Sequence, residues 1–144
     1  MASDMSKRAQ ALIERIAGFD AHLGLRIESA SDRVVRATLA VEERHLQPHG
    51  LVHGGVYCAM VETTCSVGAS LAAPDEVAMV GLENHTSFLR PARDGALEIV
   101  AEPLSVGQTS QTWQAWIRDR DGQLLARGQV RLLAVARRES SARS

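Results

Sequence analysis

From Met5 to Ala17 the apolar residues fall at Ala9, Leu12, Ile13 and Ile16, the spacing of one helical face, and Gly18 ends the pattern. Leu23 to Glu28 and Arg33 to Val41 (RVVRATLAV) then show β-branched residues and partial alternation around a Ser-Asp turn, which predicts a hairpin. Glu42 to His53 carries Pro48 and Gly50, poor residues inside a helix, and is expected to be an exposed, shaped loop. Gly54 to about Ala72 reads as a long helix in which Glu62 is the only formal charge between Val56 and Pro74. A helix apolar on nearly every side is a buried one, so the sheet is expected to wrap it. Four strand-like stretches follow, near Val77 to Leu89, Ala96 to Leu104, Thr109 to Asp119 and Gln123 to Ala136. Pro91 to Gly95, Gly107 and Asp121-Gly122 separate them, the last a strong hairpin signal. The order helix, two strands, buried helix, four strands predicts an α+β fold with a largely antiparallel sheet.

Length and composition narrow the classes. With 144 residues, 45% of them hydrophobic and 23% charged, the expectation is one domain over residues 1–136 and a polar tail (RRESSARS) over 137–144. No run of about 18 apolar residues suggests a membrane span, and the mixed N-terminus does not resemble an export signal, so a cytoplasmic protein is expected. A formal net charge of -1 gives no general attraction for nucleic acid or an anionic membrane. Cys58 and Cys65 lie seven apart on the long helix, roughly 10 Å along its axis, beyond disulfide reach.

One carboxylate in an apolar helix costs several kcal/mol of desolvation unless partnered, and such groups cluster where a poised proton is useful. Glu62 is therefore the first catalytic candidate, with Ser66 one turn further on the same face. Thr63 and Thr64 are expected to point elsewhere. At the helix start, His53-Gly54-Gly55 would let a ligand approach free backbone N–H groups, an arrangement suited to an oxyanion hole. Gly54 and Glu62 are eight residues apart, about 12 Å along the axis, too far to meet one carbonyl. If both act, they come from two antiparallel copies of the helix across a two-fold axis, giving two equal sites per dimer.

The stretch Gln47 to Ala69 (QPHGLVHGGVYCAMVETTCSVGA) and the stretch Asn84 to Ala92 (NHTSFLRPA) resemble the hotdog-fold acyl-CoA thioesterases. The likeness is greatest to the branch acting on 4-hydroxybenzoyl-CoA and 1,4-dihydroxy-2-naphthoyl-CoA, with phenylacetate-pathway thioesterases next. The resemblance implies a hotdog domain, a long central helix wrapped by an antiparallel sheet, that hydrolyses aryl or medium-chain acyl-CoA without a cofactor. It makes Glu62 nucleophile or general base and the Gly54 N–H, with Gly55, the carbonyl's donor. It gives Gln47 and His53 to the thioester or leaving thiolate, and Ser66 to a supporting role. Asn84, His85, Arg90 and Arg93 become substrate contacts, and the assembly a homodimer or, as a dimer of dimers, a homotetramer. His49 stands where an aromatic residue is common in that family.

Other readings compete residue by residue. Glu62 as a structural carboxylate, His53 as a mere helix-entry residue, and Gln47 and Ser66 as packing or surface groups are the plain alternatives. His45, His49 and His53 recur every fourth residue, yet Pro48 and Gly50 deny the helix a metal face would need, and no metal is expected. Trp113 and Trp116, three apart in a strand, are expected on opposite sides. Arg90, Arg93, Arg127 and Arg131 are candidates for coenzyme A phosphates. An enoyl-CoA hydratase of the same fold would need a His and a carboxylate facing each other across the pocket. A non-catalytic acyl-CoA-binding protein would keep the pocket without a reactive carboxylate.

Overall fold

A computed structural model describes residues 4–138. The elements are α1 (Asp4–Glu14), α2 (Gly18–Leu23), β1 (Arg26–Ala30), β2 (Val35–Ala40), a 3-10 turn (Glu43–His45), α3 (Gly54–Ala72), β3 (Val77–Phe88), β4 (Ala96–Val106), β5 (Ser110–Arg118) and β6 (Leu124–Ala136). The strands form one six-stranded sheet in the order β1-β2-β4-β5-β6-β3, with every neighbouring pair antiparallel. The expected α+β architecture and the long helix are both present.

Alternation explains how the sheet holds α3. Val35, Ala37 and Leu39 of β2, Leu97, Ile99 and Ala101 of β4, Trp113, Ala115 and Ile117 of β5, and Val130 and Leu132 of β6 are buried, while most of the residues between them are not. They close on Met60, Val61 and Cys65 of α3, and full burial of each large apolar side chain contributes roughly 1.5–3 kcal/mol. Gly68 lets the fully buried Trp113 lie on the helix backbone, since a Cβ there would fall 2.3 Å from Trp113 Cζ3. Trp116, on the other face, is half-buried.

Three local expectations need correction. The N-terminal helix stops at Glu14, and a second helix runs from Gly18, at φ 58°, to Leu23. Leu23 therefore ends a helix, whereas the residue pattern predicts a strand from Leu23 to Glu28. Gly24, at φ 80°, caps it by donating to Asp20 O and Ala21 O, and the first strand begins at Arg26. The alternating run Leu23, Leu25, Ile27 packs inward either way, so periodicity did not separate the two. Finally, Arg137 is not tail: its N–H donates to Glu76 O at 3.0 Å and its Nε to Val77 O at 3.2 Å. The rest of the expected tail, from 139 on, lies outside the described residues.

The sheet covers one side of α3, and α1 and α2 approach the other. Arg8 of α1 donates to the carbonyls of Ser70, Leu71 and Ala73 at the C-terminal end of α3, where free carbonyls favour a cation. Thr63 of α3 donates to Asp20 of α2. No helix among the described residues is long and apolar enough to cross a membrane.

Candidate active site

Glu62 projects from the middle of α3 toward β3, half-buried. Its Oε2 accepts from Asn84 Nδ2 at 3.1 Å, and the same Nδ2 donates to Cys58 O at 3.0 Å. A backbone carbonyl can only accept, so the amide must turn its NH2 toward the helix, which fixes it as donor to the carboxylate. Thr86 Oγ1 completes the chain by donating to Asn84 Oδ1 at 2.7 Å.

Space for the carboxylate comes from Gly81. A Cβ at that position would lie 2.3 Å from Glu62 Oε1. Gly81 and Asn84 are three apart, an odd spacing that in a regular strand would send them to opposite faces. The pairing of β3 with β6 shifts between Gly81 and Glu83, and this bulge turns both residues toward α3. An interior strand glycine marks a close approach, the one signal by which Gly81 was findable from sequence. The family resemblance makes Asn84 a substrate contact, whereas its amide holds the carboxylate; nothing in the sequence marks Thr86.

The helix start is built differently from expectation in one respect. His53 is the N-cap of α3, and its Nδ1 accepts the Gly55 N–H at 2.8 Å. Gly55 therefore has no free donor to offer a substrate, and its side of the helix faces the hollow lined by Phe19, His22 and His53. With Nδ1 accepting, the neutral ring carries its hydrogen on Nε2. The Gly54 N–H makes no hydrogen bond among the described residues. The ring of Phe88 rests on Gly54, where a Cβ would fall 2.3 Å from Phe88 Cε2, and packs against Tyr57 with centroids 5.8 Å apart.

Gln47 shares a cleft of ≈ 330 Å³ with Gly54, Tyr57, Phe88 and Arg90. Its Oε1 accepts from the His49 N–H, which leaves the amide NH2 as the group it can present. The Tyr57 hydroxyl is buried without a partner among the described residues, and burial raises its pKa above the ordinary tyrosine value. Arg90 donates to Leu124 O at 3.2 Å and Arg93 to His49 O at 3.5 Å, so both arginines brace loops. His85 faces the outer side of the sheet, in a hollow with Glu83, Ser87, Arg127 and Gln129, away from Glu62. Arg131 pairs with Glu83 at 3.3 Å.

Glu62 and Ser66 line another cleft, ≈ 480 Å³, between α3 and the α1–α2 segment. Thr63, expected to point elsewhere, lines it too, while Thr64 is buried and its hydroxyl has no partner among the described residues. Cys65 lies beneath, its pKa raised far above the ordinary thiol value by burial and then by the charge of Glu62. Of the three spaced histidines, His45 is buried, with Nδ1 accepting from Glu42 N–H and Nε2 donating to Leu23 O. Within one chain the structure thus brings together Glu62, Ser66 and Asn84 in one place and Gln47, Gly54 and Arg90 in another.

Comparison with known proteins gives a consistent set of relatives. The family model described as the thioesterase superfamily matches residues 49–126. The 1,4-dihydroxy-2-naphthoyl-CoA hydrolase of Escherichia coli is 38% identical over 102 residues, 71% of this chain and 75% of that protein. The crystal structure of AziG from S. sahachiroi superposes with a TM-score of 0.82 at 39% identity, covering 85% of this chain and 100% of that one. A thioesterase structure from Haemophilus influenzae gives 0.78 at 33% identity, covering 84% and 85%.

Proposed function

This chain belongs to the thioesterase superfamily, a hotdog-fold group of thioester hydrolases, and from that premise we propose that it cleaves aryl or medium-chain acyl-CoA with Glu62. The observation that carries the reading is the treatment of that one carboxylate. The only charge on α3 is held by Asn84 through a single oxygen, and Gly81 leaves room for the other. A carboxylate so placed attacks the thioester carbonyl, or draws the proton from a water that attacks it. On the first route the C–S bond breaks as a mixed anhydride forms on Glu62, and water then hydrolyses that anhydride to free the acid and restore the carboxylate. On the second, water adds directly and the C–S bond breaks. In both, coenzyme A leaves as thiolate and takes up a proton. Ser66 supports the water or the carboxylate from the next turn of the helix. Asn84 is a positioning residue in this scheme.

The carbonyl oxygen is received by the Gly54 N–H of a second subunit. About 12 Å of helix separates Gly54 from Glu62, and the two line different clefts of one chain, which supports a site shared across a two-fold dimer. Gln47 and the Nε2–H of His53 serve the thioester and the departing sulfur. The dimer, its further pairing into a tetramer, a single domain over residues 1–136 and work in the cytoplasm all belong to the same proposal. A hydratase adds water to an enoyl-CoA and releases no thiol, so thiol release separates the two readings.

Thiol release from a panel of acyl-CoAs tests the activity, with Glu62→Gln expected to lose at least about 100-fold in kcat. Heterodimers of Glu62→Gln with Gly54→Pro test the sharing, because one site then carries both lesions and the other neither. About half of wild-type activity per heterodimer is expected. Gly54→Ala is the control, since it adds the same Cβ against Phe88 but keeps the N–H. Near-normal turnover by Glu62→Gln overturns the catalytic assignment, and no recovery in folded heterodimers overturns the shared site.

A further inference from the structure

Resting on that reading, we propose that the acyl group lies along α3 in the cleft between α3 and the α1–α2 segment, and that Arg15 there selects acyl groups bearing a distal anion. On its β3 side Glu62 is closed in by Asn84 and Gly81, so a carbonyl presented to it must send its substituent the other way, into the cleft that Glu62 itself lines. One wall of that cleft is apolar, with Leu12, Ile16 and Phe19 from α1, α2 and their junction. The other is α3, which contributes the hydroxyls of Ser66 and Ser70 below Glu62.

Charge is distributed unevenly along this groove. The catalytic end holds Glu62 and Asp20, both acidic, with Asp20 accepting from Thr63. Ser70 is eight residues beyond Glu62, about 12 Å down the axis, and there the cleft runs into a smaller hollow whose charged lining is Arg8, Arg15, Arg137 and one carboxylate, Asp75. Arg8 is committed to three α3 carbonyls and to Asp75 at 3.0 Å, and Arg137 to Val77 O. Arg15 takes part in none of the ion pairs among the described residues and lines both hollows, so it is the cation left to meet a ligand. A carboxylate at the far end of an acyl chain is repelled by the acidic end and received by this guanidinium. Arg15 is exposed, so the pair is worth what surface pairs are, a factor of up to about five in kcat/KM.

Suberoyl-CoA and octanoyl-CoA share a chain length and differ in the terminal carboxylate, so the ratio of their kcat/KM values isolates the contact. That ratio is expected to fall about threefold to fivefold in Arg15→Gln, to fall further in Arg15→Glu, and to shrink in the wild type as salt is raised. Octanoyl-CoA lacks the carboxylate, so any effect of either variant on the cleft itself divides out of the ratio. Octanoyl-CoA hydrolysed with a ratio indifferent to Arg15, or suberoyl-CoA refused outright, overturns the inference and leaves the thioesterase reading standing. Hydrolysis of no acyl-CoA at all defeats that reading, and the inference falls with it.

Discussion

Replacing Gly81 by alanine adds one methyl group, and the structure says where it goes. The new Cβ would sit 2.3 Å from Glu62 Oε1, 3.4 Å from Cδ and 3.8 Å from Oε2. Ordinary van der Waals contact begins near 3.4 Å, so Oε1 must retreat by about an ångström. The obstacle is the end of a flexible side chain, and Gly81 is not among the positive-φ glycines, so the strand itself accepts alanine. Stability should therefore hold or rise by about 0.5–1 kcal/mol, as alanine loses less backbone entropy than glycine within a strand. Turnover should not hold. A misplacement of about 1 Å at the reacting group costs up to about 100-fold, and the 3.1 Å bond from Asn84 is stretched by the same movement. The expected result is a kcat lowered by about 10-fold to 100-fold in a protein that melts no earlier than wild type. Glu62→Asp withdraws the carboxylate by one methylene, so adding Gly81→Ala to it should cost less than adding it to wild type. Wild-type kcat in Gly81→Ala, or strictly additive losses in the double variant, would refute the placement of Glu62 against β3.

Other outcomes follow from the core. Gly68→Ala drives a Cβ to 2.3 Å from Trp113 Cζ3, and because Trp113 is fully buried the strain has no outlet. A loss of about 1–3 kcal/mol is expected in urea unfolding, with an unchanged midpoint refuting the packing. Cys65 titrates at an ordinary value of 9.0 when unfolded and far above it when folded, so between those values the folded state binds the proton and the unfolded state does not. Its contribution to stability is therefore intact below pH 9 and is lost as pH rises beyond it, by at most about 1.4 kcal/mol per pH unit. Unfolding at pH 8, 9 and 10 should show a smaller loss in Cys65→Ala than in wild type, and equal losses would contradict the buried thiol.

How much of this was legible in the sequence depends on how far apart the cooperating residues lie. The bounds Gly54 and Ala72, the two hairpins and the four later strands follow from local signals such as Pro74, Asp121-Gly122 and period-two burial. The helix Gly18–Leu23 is six residues long, too short for a 3.6-residue period to show against the alternation of Leu23, Leu25 and Ile27. Glu62 stood out because its helix carries no other charge. Its surroundings did not, since Asn84 and Gly81 lie 22 and 19 positions away and meet it only through the bulge of β3. Which amide hydrogens a glycine keeps free can be settled locally and still be illegible. His53 removes the Gly55 N–H by a rotamer choice that the letters His-Gly-Gly do not state.

The strand that holds the carboxylate is also one of the sheet's two edges, the other being β1. β3 is an edge strand of 12 residues, and Val80, Leu82 and Phe88 on it are all large, apolar and exposed. A long edge with exposed apolar side chains is a template for pairing with another chain, a liability that proteins blunt with charge, prolines or a cover. Among those 12 residues only Glu83 carries a formal charge, and there is no proline. In the proposed dimer a second copy is the cover, and the residues that fix Glu62 lie beside the subunit boundary rather than deep in one chain. Catalysis and assembly then depend on the same stretch of backbone, because whatever loosens the edge also loosens Asn84, and with it the grip on Oε2. If the proposed dimer forms, the half-exposed position of the carboxylate has a physical reason, since the wall that would close it then belongs to the partner.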